Sequence, residues 1–463
     1  CATISRPRSI RELGGPDGVI RMNEAEEISS KQKQISVSEF FEKNKHFLGF
    51  DTLPRAVITA VKESVDNSLD ACEEARILPD IRVEIRRTKG DELELITQDN
   101  GPGIPRDAIE NVFGKFLLGS RFHAIRQTRG QQGIGITGVV MYSQLTTGSK
   151  THVVSKIKSE ASAVYVDLGV DTKKNKAIKS GERRDIWIDD KTGNEVSHGL
   201  RIRTQMKAKY QRGRKSVYQY LRMTSIVNPH ASISLIVFDK EGSVVEEGNW
   251  VRTSNKLPRV VEEIKPHPHG IQLGTLQRML RDSNDRRMTS FLKHNFSGVS
   301  PRAAKEILAT AEVEEGRTPK RIKAEEAKMM VAAFQTVKLL KPPMDCLSPI
   351  EDLLIKKGLS KAIDSRFAST VTRNPSVSQG NPFQIEVGLV FGGDLTSDGP
   401  IEILRFANRV PLMYQQGGCL LTKALEAVNW KSYGLEQPGG SGIPKGPAAV
   451  LIHLASTNVQ FTS

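Results

Sequence analysis

The apolar positions of residues 54–76, PRAVITAVKESVDNSLDACEEAR, recur at helical spacing. At about 100° per residue Val57, Val61, Val65, Leu69 and Cys72 share one stripe, while Glu63, Asp66, Asn67 and Asp70 share the opposite one. The pattern predicts an amphipathic helix that packs on one side and presents acids and an amide on the other. After it the period changes to two: residues 81–85, 93–99, 152–157, 163–170, 185–188, 199–204 and 231–238 alternate apolar and polar side chains. Alternating strands belong to a sheet buried on one face, and helices on that face complete a two-layer α/β sandwich.

Ahead of the central helix, Ser36-x-x-Glu39 reads as a capping box opening a short helix. From Lys265 helical patterns take over at 273–280, 288–294, 301–310 and 325–340, predicting an all-helical insert. From about Pro342 the pattern mixes again: a helix at 350–356, strands at 383–391 and 401–406, a helix at 421–430, a Pro/Gly-rich loop over 438–446 and a strand at 448–454. The expected organisation is α/β (α+β) throughout, with a polar tail over 1–35, a sandwich over 36–265, a helical insert over 266–342 and a second α/β domain over 343–463.

Acidic helix faces are ordinarily just solvated. The residues downstream of this one change its reading. In Leu93-Glu-Leu-Ile-Thr-Gln-Asp99-Asn-Gly101-Pro-Gly103 a strand runs into a turn. An Asp there can accept hydrogen bonds from an exocyclic amine, and the glycines let a flat ring approach the backbone. An ordinary Asx-Gly turn has the same residues. Further on, Gln127-Thr-Arg-Gly130-Gln131-Gln132-Gly133-Ile134-Gly135-Ile136-Thr137-Gly138 leads into the apolar run Val139-Val140-Met141-Tyr142. Backbone N–H groups and a helix dipole so arranged suit an anion such as phosphate. The formal GxGxxG at Gly133, Gly135 and Gly138 is preceded by a polar, basic segment instead of a buried strand, so a dinucleotide fingerprint is rejected. No GxxxxGK[ST] occurs, which excludes a Walker-type loop.

Glu63-x3-Asn67-x2-Asp70-Ala71, Asp99-x-Gly101-x-Gly103 and Gly130-x2-Gly133-x-Gly135 resemble, in order and spacing, the three boxes of the GHKL ATPases, the class of gyrase B, MutL, the ninety-kilodalton heat-shock chaperone and histidine kinases. Within that class FFEKNKHFLGFD, RQTRGQQGIG, KPHPHG, NPFQIEVGLVFGG and WKSYG are similar to stretches of the B subunits of archaeal type IIB DNA topoisomerases, from about Ser36 to the last residue. The resemblance implies ATP between the central helix and a glycine-rich lid. It implies that Glu63 polarises the attacking water, Asn67 gives an oxygen to Mg²⁺ and Asp99 reads the adenine amine beside Gly101 and Gly103. The amides of Gly130, Gln131, Gln132, Gly133, Ile134, Gly135, Ile136 and Thr137 would hold the phosphates. Ser120 and Arg121, in GKFLLGSRF, match lid positions that contact nucleotide in relatives, and Lys431 of Trp430-Lys431-Ser432-Tyr433 would sense the terminal phosphate from the second α/β domain, the transducer.

Asp66 stays ambiguous, and Asp70 is assigned to structure at the helix end. The implied protein dimerises on ATP and gates duplex DNA through a break made by the tyrosine of a partner A subunit, in an A₂B₂ heterotetramer. Two departures stand out: Leu200 follows His198-Gly199 where relatives place Thr, and Thr137 stands where they often carry Lys. A chaperone-type or mismatch-repair ATPase, and a DNA-binding scaffold with a degenerate pocket, are the competing readings. The helical insert argues against the first and intact Glu63, Asn67 and Asp99 against the second. Within the insert Phe296-Ser-Gly-Val-Ser-Pro-Arg-Ala-Ala-Lys-Glu-Ile resembles the helix-two-turns-helix module. Arg278, Arg281, Arg286, Arg287, Lys320, Arg321 and Lys323 there are either DNA-phosphate contacts or solvated charge.

Composition adds little to this picture. Lys plus Arg outnumber Asp plus Glu by 67 to 53, a formal charge of +14 that favours an anionic partner and also suits an ordinary basic protein. Cys1, Cys72, Cys346 and Cys419 form no CxxC and have no His at metal spacing, so no zinc site and a reducing cytoplasm are expected, and His267 and His269 flank Pro268 in a rigid linker. No run of about 18 apolar residues predicts a membrane span. In the polar first 35 residues Glu24, Glu26 and Glu27 argue against a transit peptide, and Met22 is an alternative start. In relatives the region after the tail reaches across the dimer. Nothing after Leu454 reads as the long helix that in relatives runs to the A subunit, so a shortened or incompletely recorded chain that holds the A subunit poorly is expected.

Overall fold

The computed structural model describes residues 37–46, 48–116, 124–130, 134–171, 176–413 and 416–459. A short helix α1 (Val37–Lys43) precedes the central helix α2 (Leu53–Glu74). Thr52 caps α2 by accepting a hydrogen bond from the Arg55 amide at 3.4 Å, and Pro54 occupies the first turn, where an N–H would have no helical partner. The five apolar stripe residues are all buried. They pack on a sheet of β1 (Asp80–Arg87), β2 (Glu92–Asp99), β3 (Thr151–Lys156), β4 (Ala163–Asp171), β5 (Lys176–Asp185), β6 (Gly199–Lys207), β7 (Ser232–Phe238) and β8 (Val244–Trp250). The strand order is β5-β4-β3-β6-β2-β1-β7-β8, antiparallel except for the parallel pair β1 and β7. Helices α3 (Arg106–Gly114), α4 (Gly135–Thr147) and α5 (Val217–Val227) share the covered face with α2.

The strand expected at 185–188 is not formed. The chain there carries only an isolated bridge between Ile188 and Glu195, and its apolar spacing comes from Trp187, which is buried against Val154 and Ala163. The strand is instead β5, whose KAIKSGERRD lies exposed at the sheet edge and has no apolar alternation to announce it.

Four helices, α6 (Leu273–Asp282), α7 (Met288–Asn295), α8 (Pro301–Thr310) and α9 (Ala324–Thr336), enclose a separate core of Leu276, Phe291, Phe296, Ile307 and Phe334. Ser300 caps α8, accepting from the Ala303 amide at 3.1 Å. Helix α9 stops short of residue 340 because Val337 turns extended.

The second sheet contains β9 (Phe367–Thr372), β10 (Ser376–Ser378), β11 (Asn381–Phe391), β12 (Glu402–Ala407), β13 (Val410–Pro411) and β14 (Ala448–Ser456), ordered β10-β11-β14-β12-β13 with β9 also on β11. Helix α10 (Asp352–Ala362) covers one face, and α5 joins it there. Tyr220 and Leu221 of α5 lie in the first core, whereas Met223, Ile226 and Val227 pack with Ile355, Leu359, Leu404, Phe406 and Leu451 in the second. The two helices touch backbone to backbone: a Cβ on Gly358 would lie 2.0 Å from the Ile226 carbonyl oxygen. The opposite face is covered by α11 (Leu420–Glu426) and a tight turn at Trp430–Tyr433, with Ile403, Val450 and Ile452 beneath. Among the described residues no helix is long and apolar enough to cross a membrane.

Candidate active site

Asp99 ends β2 beneath α2 and is 6% exposed. Its Oδ2 accepts a hydrogen bond from the Ser68 hydroxyl at 2.6 Å and its Oδ1 one from the Gly101 amide at 2.8 Å. Burial pushes the carboxyl above its ordinary range, opposed by Ser68 and by the Gly101 and Leu200 amides. Two carboxylate oxygens offer about four lone pairs, so acceptor capacity remains for an amine. Backbone crowding explains the glycines. A Cβ on Gly103 (φ 73°) would lie 2.2 Å from the Lys156 carbonyl oxygen, and one on Gly199 2.3 Å from that of Asp99. Leu200 pairs with Asp99 across the β2–β6 ladder.

Glu63 projects from α2 with about a quarter of its side chain exposed, and Lys62 Nζ lies 3.0 Å from its Oε1. Gly135, the first residue of α4, comes so close that a Cβ there would sit 1.9 Å from Glu63 Oε2. The glycine stretch and the glutamate are thereby brought together. The first intrahelical bond of α4 runs from the Gly138 amide to the Ile134 carbonyl at 2.7 Å, so the amides of Gly135, Ile136 and Thr137 precede it and have no acceptor within the helix. The side chain of Thr137 is committed to the fold: it is buried and donates to the Lys115 carbonyl at 3.2 Å. Only its amide faces the role expected of it. Asn67 is exposed one turn beyond Glu63, and Gly130 is exposed as well. Ser120, Arg121, Gln131, Gln132 and Gly133 lie outside the described residues.

The polar stripe of α2 divides. Asp66 is buried, its Oδ1 accepts from the Tyr220 hydroxyl at 2.9 Å, and burial pushes its carboxyl up to about 6 against the pull of Lys62. Asp70 accepts from Arg129 at 2.6 Å, the structural role expected of it. Glu63 and Asn67 are left facing outward.

Sequence reasoning quoted the residues just before Gly130 but gave them no role. Gln127, Thr128 and Arg129 are all buried. The Gln127 side chain accepts from the Ser348 amide at 2.7 Å and donates to the Ser348 carbonyl at 3.2 Å. The Thr128 carbonyl accepts from Asn408 Nδ2 at 2.9 Å. The Arg129 guanidinium donates to Asp70, twice to Glu73 (2.7 and 2.6 Å) and to Asn228 Oδ1 at 2.7 Å. Burial would raise the Glu73 carboxyl, yet Arg129 and His230 hold it well below its ordinary range. The sequence signals were faint: the second of two arginines in the polar run Arg126-Gln-Thr-Arg129, and Asn228-Pro-His230 after an apolar helix.

On the second sheet the chain reverses between β12 and β13 through Asn408 (φ 46°) and Arg409 (φ 65°), both buried. Asn408 Nδ2 also donates to the Ser456 carbonyl and its Oδ1 accepts from the Ser456 amide, each at 2.9 Å. Arg409 donates to the carbonyls of Val227 at 3.2 Å and Pro349 at 2.9 Å. Its backbone amide donates to His453 Nε2 at 2.9 Å, and His453 Nδ1 stands 2.7 Å from Glu386. An imidazole that accepts at Nε2 is neutral and donates its Nδ1 proton to the carboxylate.

Burial lowers the pKa of His230, His267 and His453 below that of a free imidazole, against the pull of Glu73, of the Leu340 carbonyl and of Glu386 respectively. As pH falls below about 6.5 the unfolded chain takes up these protons before the fold does, a loss of up to about 1.4 kcal/mol per pH unit per histidine. Below about 6 the buried carboxyl of Asp66 binds a proton in the fold and opposes the trend, and Asp99, also raised by burial, acts in the same direction. The unfolding midpoint should therefore drop between pH 7 and 6, then flatten, then drop again below about 4.5, where Glu73 and Glu386, both lowered, lose their stabilising charge. A midpoint constant from pH 7 to 6 would contradict the neutral buried histidines.

Lys431 is not brought to this site. It is exposed in the tight turn after α11, in the layer on the face of the second sheet turned away from α5. A hollow of about 310 Å³ on the open face of the first sheet, lined by His152, Tyr165, Arg183, Arg201 and Arg203, likewise contains none of the expected site residues.

Residues 52–173 match the family described as histidine kinase-, DNA gyrase B- and HSP90-like ATPase, and residues 342–463 match the topoisomerase VI B subunit transducer family. The type 2 DNA topoisomerase 6 B subunit of Methanosarcina acetivorans is 50% identical over 440 residues, which cover 95% of this chain and 69% of that protein. Its namesakes from Methanococcoides burtonii (49%, covering 95% and 69%) and Archaeoglobus fulgidus (47%, covering 94% and 70%) are similar to the same extent. A solved structure described as the N-terminal domain of a DNA repair protein covers 89% of this chain and 86% of its own at 12% identity and a TM-score of 0.43, too loose a superposition to add to this. With half its residues shared over nearly its whole length, the chain belongs to the family of type 2 DNA topoisomerase 6 B subunits.

Proposed function

We propose that ATP lies between α2 and the glycine stretch 130–137, with Glu63 as the general base for the attacking water, Asp99 reading the adenine amine and the amides opening α4 holding the phosphates. As a member of its family the chain is the ATP-hydrolysing subunit of a type II DNA topoisomerase, acting on DNA with the topoisomerase VI A subunit. The observation that carries the assignment is the approach of Gly135 to Glu63, which sets a carboxylate beside helix-opening amides that have no acceptor within α4. Phosphoryl transfer needs a positioned water and neutralised charge more than covalent help, and these groups supply both.

A Mg²⁺ ion would be held by Asn67. No group of three or more His, Cys, Asp or Glu fit to hold a metal occurs among the described residues, and Mg²⁺ bound with phosphate takes only one or two protein oxygens, so an exposed amide beside Glu63 fits it. The ion would supply charge to the phosphates. We further propose dimerisation on ATP, an A₂B₂ assembly whose DNA-cleaving tyrosine lies on the A subunit, and domains at 36–265, 266–342 and 343–463, with Ser120 and Arg121 contacting nucleotide. Arg278, Arg281, Arg286, Arg287, Lys320, Arg321 and Lys323 of the helical insert are all exposed, as DNA contact requires. A sensing role for Lys431 rests on its motif alone and needs the second sheet to turn relative to the first.

The test is Glu63→Ala, which should cut hydrolysis by about 10²–10⁴-fold and leave binding of a non-hydrolysable ATP analogue intact. Asp99→Ala should do the reverse, weakening binding itself. Hydrolysis at the wild-type rate by the Glu63 variant would remove the base assignment. The chaperone and mismatch-repair readings fall with the family; absence of hydrolysis by the wild-type chain in its complex with the A subunit would favour the scaffold reading.

A further inference from the structure

Three consecutive residues at the root of the glycine stretch are each held by a different part of the chain. Gln127 is bound by Ser348, Thr128 by Asn408, and Arg129 by α2 and Asn228. Two of those partners, Ser348 and Asn408, lie in the second α/β unit. The β12–β13 turn that supplies Asn408 is itself unusual. A two-residue hairpin of this hand wants both central residues left-handed and favours Gly at the second, where this chain has Arg409. Bulky side chains in that region persist when surrounding bonds over-determine them, and such positions cluster where function constrains the backbone. This turn has such bonds. Arg409 is fixed to the end of α5, to Pro349 and to His453, and Asn408 joins Thr128 on one side to Ser456, the last residue of β14, on the other.

We infer that the Asn408–Arg409 turn is a positioning device for ATP hydrolysis. It fixes the Thr128–Arg129 root, and through it the approach of Gly135 to Glu63, so that turnover proceeds only while the second sheet is docked on the first. Neither residue touches the reacting atoms; both act through the root of the glycine stretch. The inference rests on the proposed ATPase reading.

Asn408→Gly tests it, because glycine keeps the left-handed backbone and deletes the three side-chain bonds. Asn408→Asp is the second variant, since it retains the acceptor for the Ser456 amide and loses the donor to Thr128. In the full chain complexed with DNA and its A subunit, both should lower kcat for ATP about tenfold, the scale of one lost hydrogen bond, with KM changed less than about twofold. Amide hydrogen exchange should quicken over residues 127–130 and 134–138, while β11 and β14 keep their protection. Glu312→Gly, a left-handed residue of the helical insert, should change neither reading. Wild-type kcat together with wild-type exchange at 127–130 overturns the inference, and so does faster exchange spreading through β11 and β14, which would make the turn merely structural. If no form of the complex hydrolyses ATP, it is the ATPase reading that has failed, and the exchange pattern alone then decides whether the turn holds the root.

Discussion

Arg129→Ala is expected to lower the stability of the fold by about 3–5 kcal/mol, the usual cost of removing one partner from a buried ion pair. The guanidinium is buried and donates to two carboxylates and an amide. Without it Glu73 keeps, among the described residues, only the burial-lowered His230 as a polar partner, and Asp70 loses a close cation. The loss should be recoverable. A triple variant, Arg129→Met with Glu73→Gln and Asp70→Asn, removes both signs together and should regain most of the stability, because uncompensated buried charge, more than the missing bonds, dominates the cost. Denaturant unfolding of the three proteins measures this directly. A single variant within about 1 kcal/mol of wild type would show that the cluster carries little of the fold's stability.

Gly135→Ala should act on the reaction and spare the fold. Alanine is the better helix former, and α4 tolerates it in every respect but one: its Cβ would fall 1.9 Å from Glu63 Oε2. Either the carboxylate or the first turn of α4 must move by about an ångström, a displacement that typically costs about 10²-fold in rate. Hydrolysis should drop by that order while the thermal midpoint stays at or above the wild-type value. Unchanged hydrolysis would mean that the glutamate has room to retreat without leaving its working position, and the contact would lose its significance.

These two residues show what a sequence does and does not disclose. Gly135 was legible as part of a glycine box, since the boxes are short and their chemistry is written in consecutive residues. The central helix was legible for the same reason, down to its five buried positions. Arg129 was not, because its partners lie 56 to 99 positions away and the two arginines of RQTRGQQ set no hydrophobic period that would bury one of them. The bond from Asn408 to Thr128 spans 280 positions. Hydrophobic spacing also misled where a single side chain mimicked a strand, as Trp187 did at 185–188. The helix expected to reach Trp430 ends at Glu426, and the indole of Trp430 folds back to donate to the Leu425 carbonyl at 2.8 Å. Propensity could not foresee that return.

Helix α5 serves two cores at once, and this bears on the order in which the chain is made. When residues 217–227 leave the ribosome, Tyr220 and Leu221 can settle at once on the first sheet, but the surface that Met223, Ile226 and Val227 require does not yet exist. It is completed only when β14 has been synthesised, more than two hundred residues later by the numbering. Until then the nascent sandwich carries an apolar wall facing solvent, the kind of surface on which partly made chains associate wrongly. The helical insert is translated during that interval, closes on its own core and does not cover the wall. The interval between the two sheets is therefore the period in which this chain most needs a chaperone.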